Sequence, residues 1–291
     1  MKKKESSLQM LIASMVIFGT IGVFRRFLPL PSASIAALRG IVGAAFLLAL
    51  TAIRGKKPDR AAVRGNLALL LISGAVMGVN WIALFEAYRF TSVAVATLCY
   101  YMAPVFVILV SPVLLGEKLT ARKGLCVAAA LLGMVLVSGV PEGGAVGSVR
   151  GVLLGLAAAA LYAAVILMNK KMKPMPGMDR SVVQLFAAGI VVLPYALLTG
   201  FRGSEALTLR TALLLAVICL VHTGLAYVLY FGSMESLPAH TIAHLGYIDP
   251  VVAVLLSALL LHEALTPLIL LGAVLIIGAA ILGELPGKKK A

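Results

Sequence analysis

The chain has 291 residues, of which 62% are hydrophobic and only 12% charged, too apolar a balance for a water-soluble fold of this size. Its net charge of +14 does not point to nucleic acid, because the basic residues lie in short gaps between apolar runs and at the two ends, with no stripe interleaved with aromatics. The three cysteines, Cys99, Cys126 and Cys219, sit inside apolar runs without metal-ligand spacing and read as small hydrophobes.

A helix of about 20 apolar residues crosses a bilayer. Ten such runs occur, at roughly 8–27, 34–53, 66–88, 93–115, 122–140, 149–169, 181–199, 211–233, 239–261 and 266–283. The first follows Met-Lys-Lys-Lys, as a signal peptide would, but Arg25 and Arg26 follow it in place of a small-residue cleavage site, so a retained helix is expected. Gly, Ala and Ser are frequent inside the runs, as close helix packing in lipid requires. With the N-terminus cytoplasmic, 18 of the 25 basic residues fall on inner segments or the span ends beside them and 6 on outer ones, while Arg39 alone lies in the interior of a span. That bias predicts an inner-membrane, multi-pass protein with both termini cytoplasmic.

Polar groups at membrane depth are costly, so each is a candidate for function. Span 3 carries Asn80, Trp81 and Glu86. Trp81, the single tryptophan, lies away from the interfacial belts and suits stacking on a flat or cationic solute. Asn80 could orient a carboxylate or amine, and Glu86 could exchange a proton or simply pair with Arg89 near the outer end. Tyr162 in span 6 and Tyr227 and Tyr230 in span 8 could form an aromatic lining with Phe18 of span 1. In span 9, His240, His244 and Tyr247 share a helical face. His240 reads as interfacial, whereas His244 is deep enough to carry a coupling proton. Asp249 is either a proton or cation site or a buried partner for Arg39. On an ideal helix it points about 200° away from Tyr247.

Spans 4 and 9 share one pattern. Tyr101–Thr120 reads Y-M-A-P-V-F-V-I-L-V-S-P-V-L-L-G-E-K-L-T, and Tyr247–Thr266 reads Y-I-D-P-V-V-A-V-L-L-S-A-L-L-L-H-E-A-L-T. Tyr101 and Tyr247, Pro104 and Pro250, Ser111 and Ser257, Glu117 and Glu263, and Thr120 and Thr266 align at one offset. A duplication is therefore expected, with residues 1–140 as one repeat and 141–291 as the other. Five spans per repeat is odd, so the second repeat must enter the membrane from the opposite side. Pro104 and Pro250 cannot donate to the carbonyls of Tyr100 and Gly246, so kinks are expected there, as hinges or as static bends. Glu117 and Glu263, just ahead of N-capping threonines, read as a hairpin signature.

On these Pro-to-Glu segments the chain resembles the drug/metabolite transporter superfamily, in its ten-helix branch built from two EamA-type domains. The resemblance implies an all-α integral membrane protein of ten transmembrane helices arranged as two inverted five-helix repeats. It also implies a central cavity lined by helices 1, 3, 4, 6, 8 and 9, and export of amino acids or other small metabolites. Solute would bind at Asn80, Trp81, Tyr101, Tyr162, Tyr227, Tyr230, His244 and Tyr247, with His244, Asp249 or Glu86 carrying a coupling proton.

The expected partners are a small-molecule substrate and membrane lipid, with the protein as a monomer or loose homodimer. No phosphate loop and no soluble domain for ATP occur, so a gradient must drive transport. No cofactor or metal is expected: His240 and His244 lack the Glu of a zinc-protease helix, and Leu265-Thr266 follows His262-Glu263 where a second His would be needed. An uncoupled facilitator is the alternative, ahead of a channel or an intramembrane enzyme.

Overall fold

The computed structural model describes residues 2–55, 57–116, 120–138, 148–200, 208–234 and 236–284, and every regular element among them is helical. The first half contains α1 (Lys2–Arg26), α2 (Ser32–Ile53), α3 (Arg60–Gly65), α4 (Leu67–Phe90), α5 (Val93–Tyr100), α6 (Ala103–Leu115) and α7 (Ala121–Val137). The second contains α8 (Val149–Lys171), α9 (Gly177–Gly200), α10 (Leu209–Ala216), a π-helical stretch (Val217–Leu225), α11 (Ala226–Met234), α12 (Ala239–Gly246), α13 (Ile248–Leu261) and α14 (Pro267–Glu284).

Helices are the open-chain solution to lipid, because each satisfies its own backbone polar groups. Ser92, Thr120, Ser148 and Thr208 start α5, α7, α8 and α10 by accepting from a backbone N–H three residues on. Eight stretches among the described residues are long and apolar enough to cross a membrane, with α5–α6, the α10–α11 run and the α12–α13 run each counting once. The 17-residue α7 and the shorter apolar α14 complete the ten rods. The six-residue α3, absent from the sequence expectation, sits in the longest connection and is capped by the Asp59 carboxylate.

The rods pair in a way that reveals the duplication. Span 1 packs on spans 8 and 9, and span 6 on spans 3 and 4; span 2 packs on span 8, and span 7 on span 3. Each pairing has its counterpart under exchange of the halves. Spans 2 and 7 pack on each other, as do spans 5 and 10. These partners run antiparallel. Along α2, Gly40 faces Gly189 of α9, while the later Gly43 faces the earlier Leu185. Likewise Gly133 of α7 meets Gly272 and Leu275 of α14, while the earlier Cys126 lies by the later Gly283. The axis relating the repeats therefore crosses the rods at a right angle, which is an inverted repeat.

Glycine makes the central seam. A Cβ on Gly40 would lie 2.6 Å from the Gly189 nitrogen and 2.7 Å from the Leu185 carbonyl oxygen, both backbone atoms that cannot swing aside. Gly40→Ala is expected to force α2 and α9 apart, costing about 1–3 kcal/mol. Thermal unfolding in detergent checks this, with Gly278→Ala as control, since a Cβ at Gly278 meets nothing within 4 Å.

Spans 4 and 9 are interrupted where Pro104 and Pro250 predict a departure from the regular helix. Each is divided in two, span 4 between Tyr100 and Ala103 and span 9 at Tyr247. Pro104 and Pro250 then stand in the first turn of α6 and α13, where a missing N–H leaves no bond unmade. Both pieces end alike: Gly116 after α6 and His262 after α13 adopt the left-handed conformation, with φ 68° and 54°. Span 8 carries a second irregularity without a sequence signal, the π stretch Val217–Leu225. Its widened turn lets the His222 ring and the Thr223 hydroxyl reach the carbonyls of Val217 and Ile218, five residues back.

Candidate functional site

The two halves enclose a cavity of two joined chambers, about 550 and 170 Å³. Phe18, Met77, Tyr101, Tyr162, Tyr227 and Asp249 line both. They come from spans 1, 3, 4, 6, 8 and 9, so each repeat supplies the equivalent three rods. The larger chamber extends to Asn169, Arg180 and Met234, near the helix ends that carry Lys170 and Lys171. The smaller one continues the other way, past Arg39, Asn80 and Trp81 to Tyr88 and Thr97.

The helix breaks place the acid. Because α12 ends before Tyr247 and α13 restarts after it, Asp249 no longer follows the ideal-helix phase that aims it away from Tyr247. Tyr101, at the matching break of span 4, donates its hydroxyl to Asp249 Oδ2 at 2.7 Å. The Tyr101 and Tyr247 rings, equivalent in the two repeats, lie 6.2 Å apart. The aromatic walls are layered: Tyr100 stacks on Tyr162 at 5.1 Å, and Phe18 meets Tyr227 edge-on at 5.7 Å and Tyr230 at 6.4 Å. Such walls bury an apolar body while their hydroxyls remain available to polar groups.

Arg39 is not the partner of Asp249. Its guanidinium lies over the Trp81 ring, 4.2 Å from the centroid, and its Nε donates to Thr223 Oγ1 at 2.8 Å. Asn80 is buried, and its Nδ2 donates to the Ala158 carbonyl. Its Oδ1 is buried without a hydrogen-bond partner among the described residues. Thr20 Oγ1 and His222 Nε2 join spans 1 and 8 at 2.8 Å.

Not every sequence candidate reaches the cavity. Tyr230, Tyr247 and Pro104 line the larger chamber, and Asn80 and Trp81 the smaller. Pro250 is buried behind them. His244 lines neither chamber, although Gly246 lines the larger one. The His240 side chain and Glu117 lie outside what the structure describes. Glu86 belongs to a separate layer past the smaller chamber. There Ser32 donates to Glu86 at 2.6 Å, Arg89 pairs with the same carboxylate at 3.1 Å, and Arg25 donates to Ser32 at 3.0 Å and to the Leu28 carbonyl at 3.0 Å. Arg26 also reaches the Tyr88 carbonyl.

Two features escaped the sequence reading. Glu263 reaches across to the first repeat, where its carboxylate accepts from the Val93 N–H at 2.8 and 3.1 Å and the Ala94 N–H at 3.5 Å, at the start of α5. Gln184, on the larger chamber, donates to Ser73 Oγ at 2.6 Å and Asn169 Oδ1 at 2.7 Å. The signal for Gln184 was present in the sequence, as an amide inside an apolar run.

An all-helical, multi-pass architecture with inverted halves and one polar, aromatic cavity between them defines a carrier-type membrane protein. The family model for the EamA-like transporter family matches the chain twice, over residues 6–139 and 149–283, and the chain belongs to that family of membrane transporters. It is similar to the Uncharacterized transporter YxxF of Bacillus subtilis (strain 168), with 26% identity over 88% of this chain and 82% of that one. It is also similar to Protein PecM of Dickeya dadantii (strain 3937), with 30% identity over 90% of this chain and 86% of that one. An uncharacterized transporter of Archaeoglobus fulgidus is 27% identical, with 94% of each chain covered. A solved crystal structure shares the fold with a TM-score of 0.66 and 21% identity, over 96% of this chain and 97% of that one.

Proposed function

We propose that this transporter is a secondary active exporter of small metabolites, with amino acids as the leading class, and that it works by alternating access. One observation carries the reading: a cavity built from equivalent rods of both repeats extends to the helix ends on one side and, on the other, stops short of the layer holding Glu86, beyond which lies a separate pocket of about 630 Å³, so that the layer between acts as a seal. The seal consists of the Glu263 cap on α5 and the Arg25–Ser32–Glu86–Arg89 layer. A cavity of this shape fits one of two mirror-related conformations, which inverted repeats supply by exchanging their shapes. By the basic-residue bias, the end at Lys170 and Arg180 is cytoplasmic and the sealed end faces outward across the inner membrane, with both termini inside.

Solute would occupy the space between Tyr101, Tyr162, Tyr227, Tyr230 and Tyr247, with Asn80 and Trp81 deeper in. The breaks at Pro104 and Pro250 would act as hinges for the exchange of shapes. Coupling by proton exchange is assigned to Asp249. Glu86 lies in the sealing layer and His244 lines neither chamber, so neither is placed to sense the solute.

Counterflow tests the reading. Proteoliposomes preloaded with a mixture of unlabelled amino acids are expected to take up labelled amino acids transiently and with saturation. Flux that rises linearly with concentration, with no counterflow, would identify a channel instead. The variant Tyr101→Ala, which opens the wall and frees Asp249, is expected to raise KM by about tenfold or more, the equivalent of roughly 1.4 kcal/mol.

A further inference from the structure

The smaller chamber contains a buried cation that pairs with no carboxylate among the described residues. Arg39 is 6% exposed, and among the described residues its guanidinium makes one hydrogen bond, Nε to a neutral threonine. Its flat face is held by Trp81 at 4.2 Å and backed by Phe85 at 5.9 Å. A guanidinium carries five N–H donors in a fixed fork that matches a carboxylate. Here one donor is used, the face is stacked, and the remaining edge borders a chamber of about 170 Å³. Burial of a charge without an anionic partner is strongly unfavourable at membrane depth, so a residue kept in that condition points to a ligand that completes it.

A second group in the chamber is also incomplete. Asn80 has its Nδ2 tied to Ala158, which fixes the amide, while Oδ1 is buried with no donor. Arg39 and Asn80 border the same chamber, with Asp249 as the acid there. The chamber thus offers fork donors and an amide acceptor, while the Asp249 carboxylate on the same chamber is held by Tyr101. A solute bearing one negative group matches the single cation, whereas a phosphate dianion would bring a second negative charge with no further cation to offset it.

We propose that Arg39 binds the carboxylate of the transported solute, with Asn80 Oδ1 accepting a hydrogen bond from the same molecule. The assignment rests on the transporter reading above and narrows its substrate class to carboxylates with an apolar or aromatic body. Trp81 fixes the guanidinium plane so that the fork stands ready when solute arrives, which lowers the ordering cost of binding. The sequence marks the residue as the one cation deep within a span, and among the described residues no acid pairs with it.

The single tryptophan supplies a local readout. Purified protein in detergent is titrated with 3-phenylpropionate, its carboxamide, phenethylamine, phenylalanine and phenyl phosphate, while Trp81 emission is followed. Saturable changes are expected with the two carboxylates, at least about tenfold tighter than with the carboxamide. Arg39→Gln is expected to erase that preference, and Arg39→Lys to restore part of it through charge without the planar fork. Equal affinity for acid and carboxamide in the wild type overturns the proposal even if both variants fail to fold. So does a response to phenyl phosphate alone, or none to either carboxylate. Counterflow of the same compounds separates this outcome from the broader reading. Exchange of amine or carboxamide without any carboxylate preference keeps the transporter and discards the anchor. Carboxylate binding at Trp81 with no exchange of any compound does the reverse.

Discussion

Asp249→Asn is expected to abolish pH-driven accumulation while sparing counterflow. The asparagine keeps an oxygen that can accept from Tyr101, so the 2.7 Å contact and the shape of the wall survive. What it loses is the ability to carry a proton from one face to the other. For an exchanger that trades one proton for one neutral solute, each unit of pH difference supports about a tenfold concentration ratio, since a decade of proton activity is worth about 1.4 kcal/mol. In vesicles with an imposed pH gradient, wild type should approach that ratio and Asp249→Asn should fall to about one. Counterflow, which needs no net proton movement, should continue at a comparable rate. Glu86→Gln and His244→Ala are expected to keep the accumulation ratio. A full ratio in Asp249→Asn, or its collapse in either of the other two, removes Asp249 from the coupling role.

The duplication was legible because it is written in rare residues. Tyr101 and Tyr247, Pro104 and Pro250, and the serines and threonines at one offset stand out against an apolar background, and five spans per copy dictate the inversion. The ends of the rods were legible for the same reason, since charge and caps mark them. What sequence could not give is the course of the backbone where it stops being a regular helix. The ideal-helix phase aims Asp249 away from Tyr247, and although Pro250 marks a kink, its size and direction are not written in the sequence; the break at Tyr247 brings Asp249 to Tyr101. The π stretch in span 8 has no compositional mark, yet it positions Thr223 under Arg39. Arg39 and Asp249 were the natural pair on charge alone, but side-chain stacking on Trp81 holds the cation elsewhere. Glu86 and His244 illustrate the converse: a polar residue inside a span reads as functional whichever way it points, and direction is a tertiary property.

Glu263→Gln is expected to open the sealed face. The left-handed turn at His262 directs the chain so that the Glu263 carboxylate meets the first N–H groups of α5, in the other repeat. Those N–H groups have no partner within their own helix, and the N-terminal end of a helix dipole favours an anion. Charge-assisted bonds of this kind contribute about 1.5–3 kcal/mol, and partial exposure of Glu263 favours the lower part of that range. The neutral amide keeps one acceptor and loses the charge; Glu263→Ala loses both. Because the contact joins the two repeats across the seal, its loss penalises the sealed conformation far more than one in which α5 and Glu263 have separated. A penalty of about 1.4 kcal/mol already shifts such an equilibrium tenfold. The measurement uses Thr97→Cys, which places a thiol in the smaller chamber, in a protein with Cys99, Cys126 and Cys219 replaced. An impermeant maleimide added at the sealed face should label it about tenfold faster in Glu263→Gln, and faster again in Glu263→Ala. If both variants lower thermal stability and leave that labelling rate unchanged, Glu263 is a brace for the α13–α14 turn and the seal is held by the arginine layer alone.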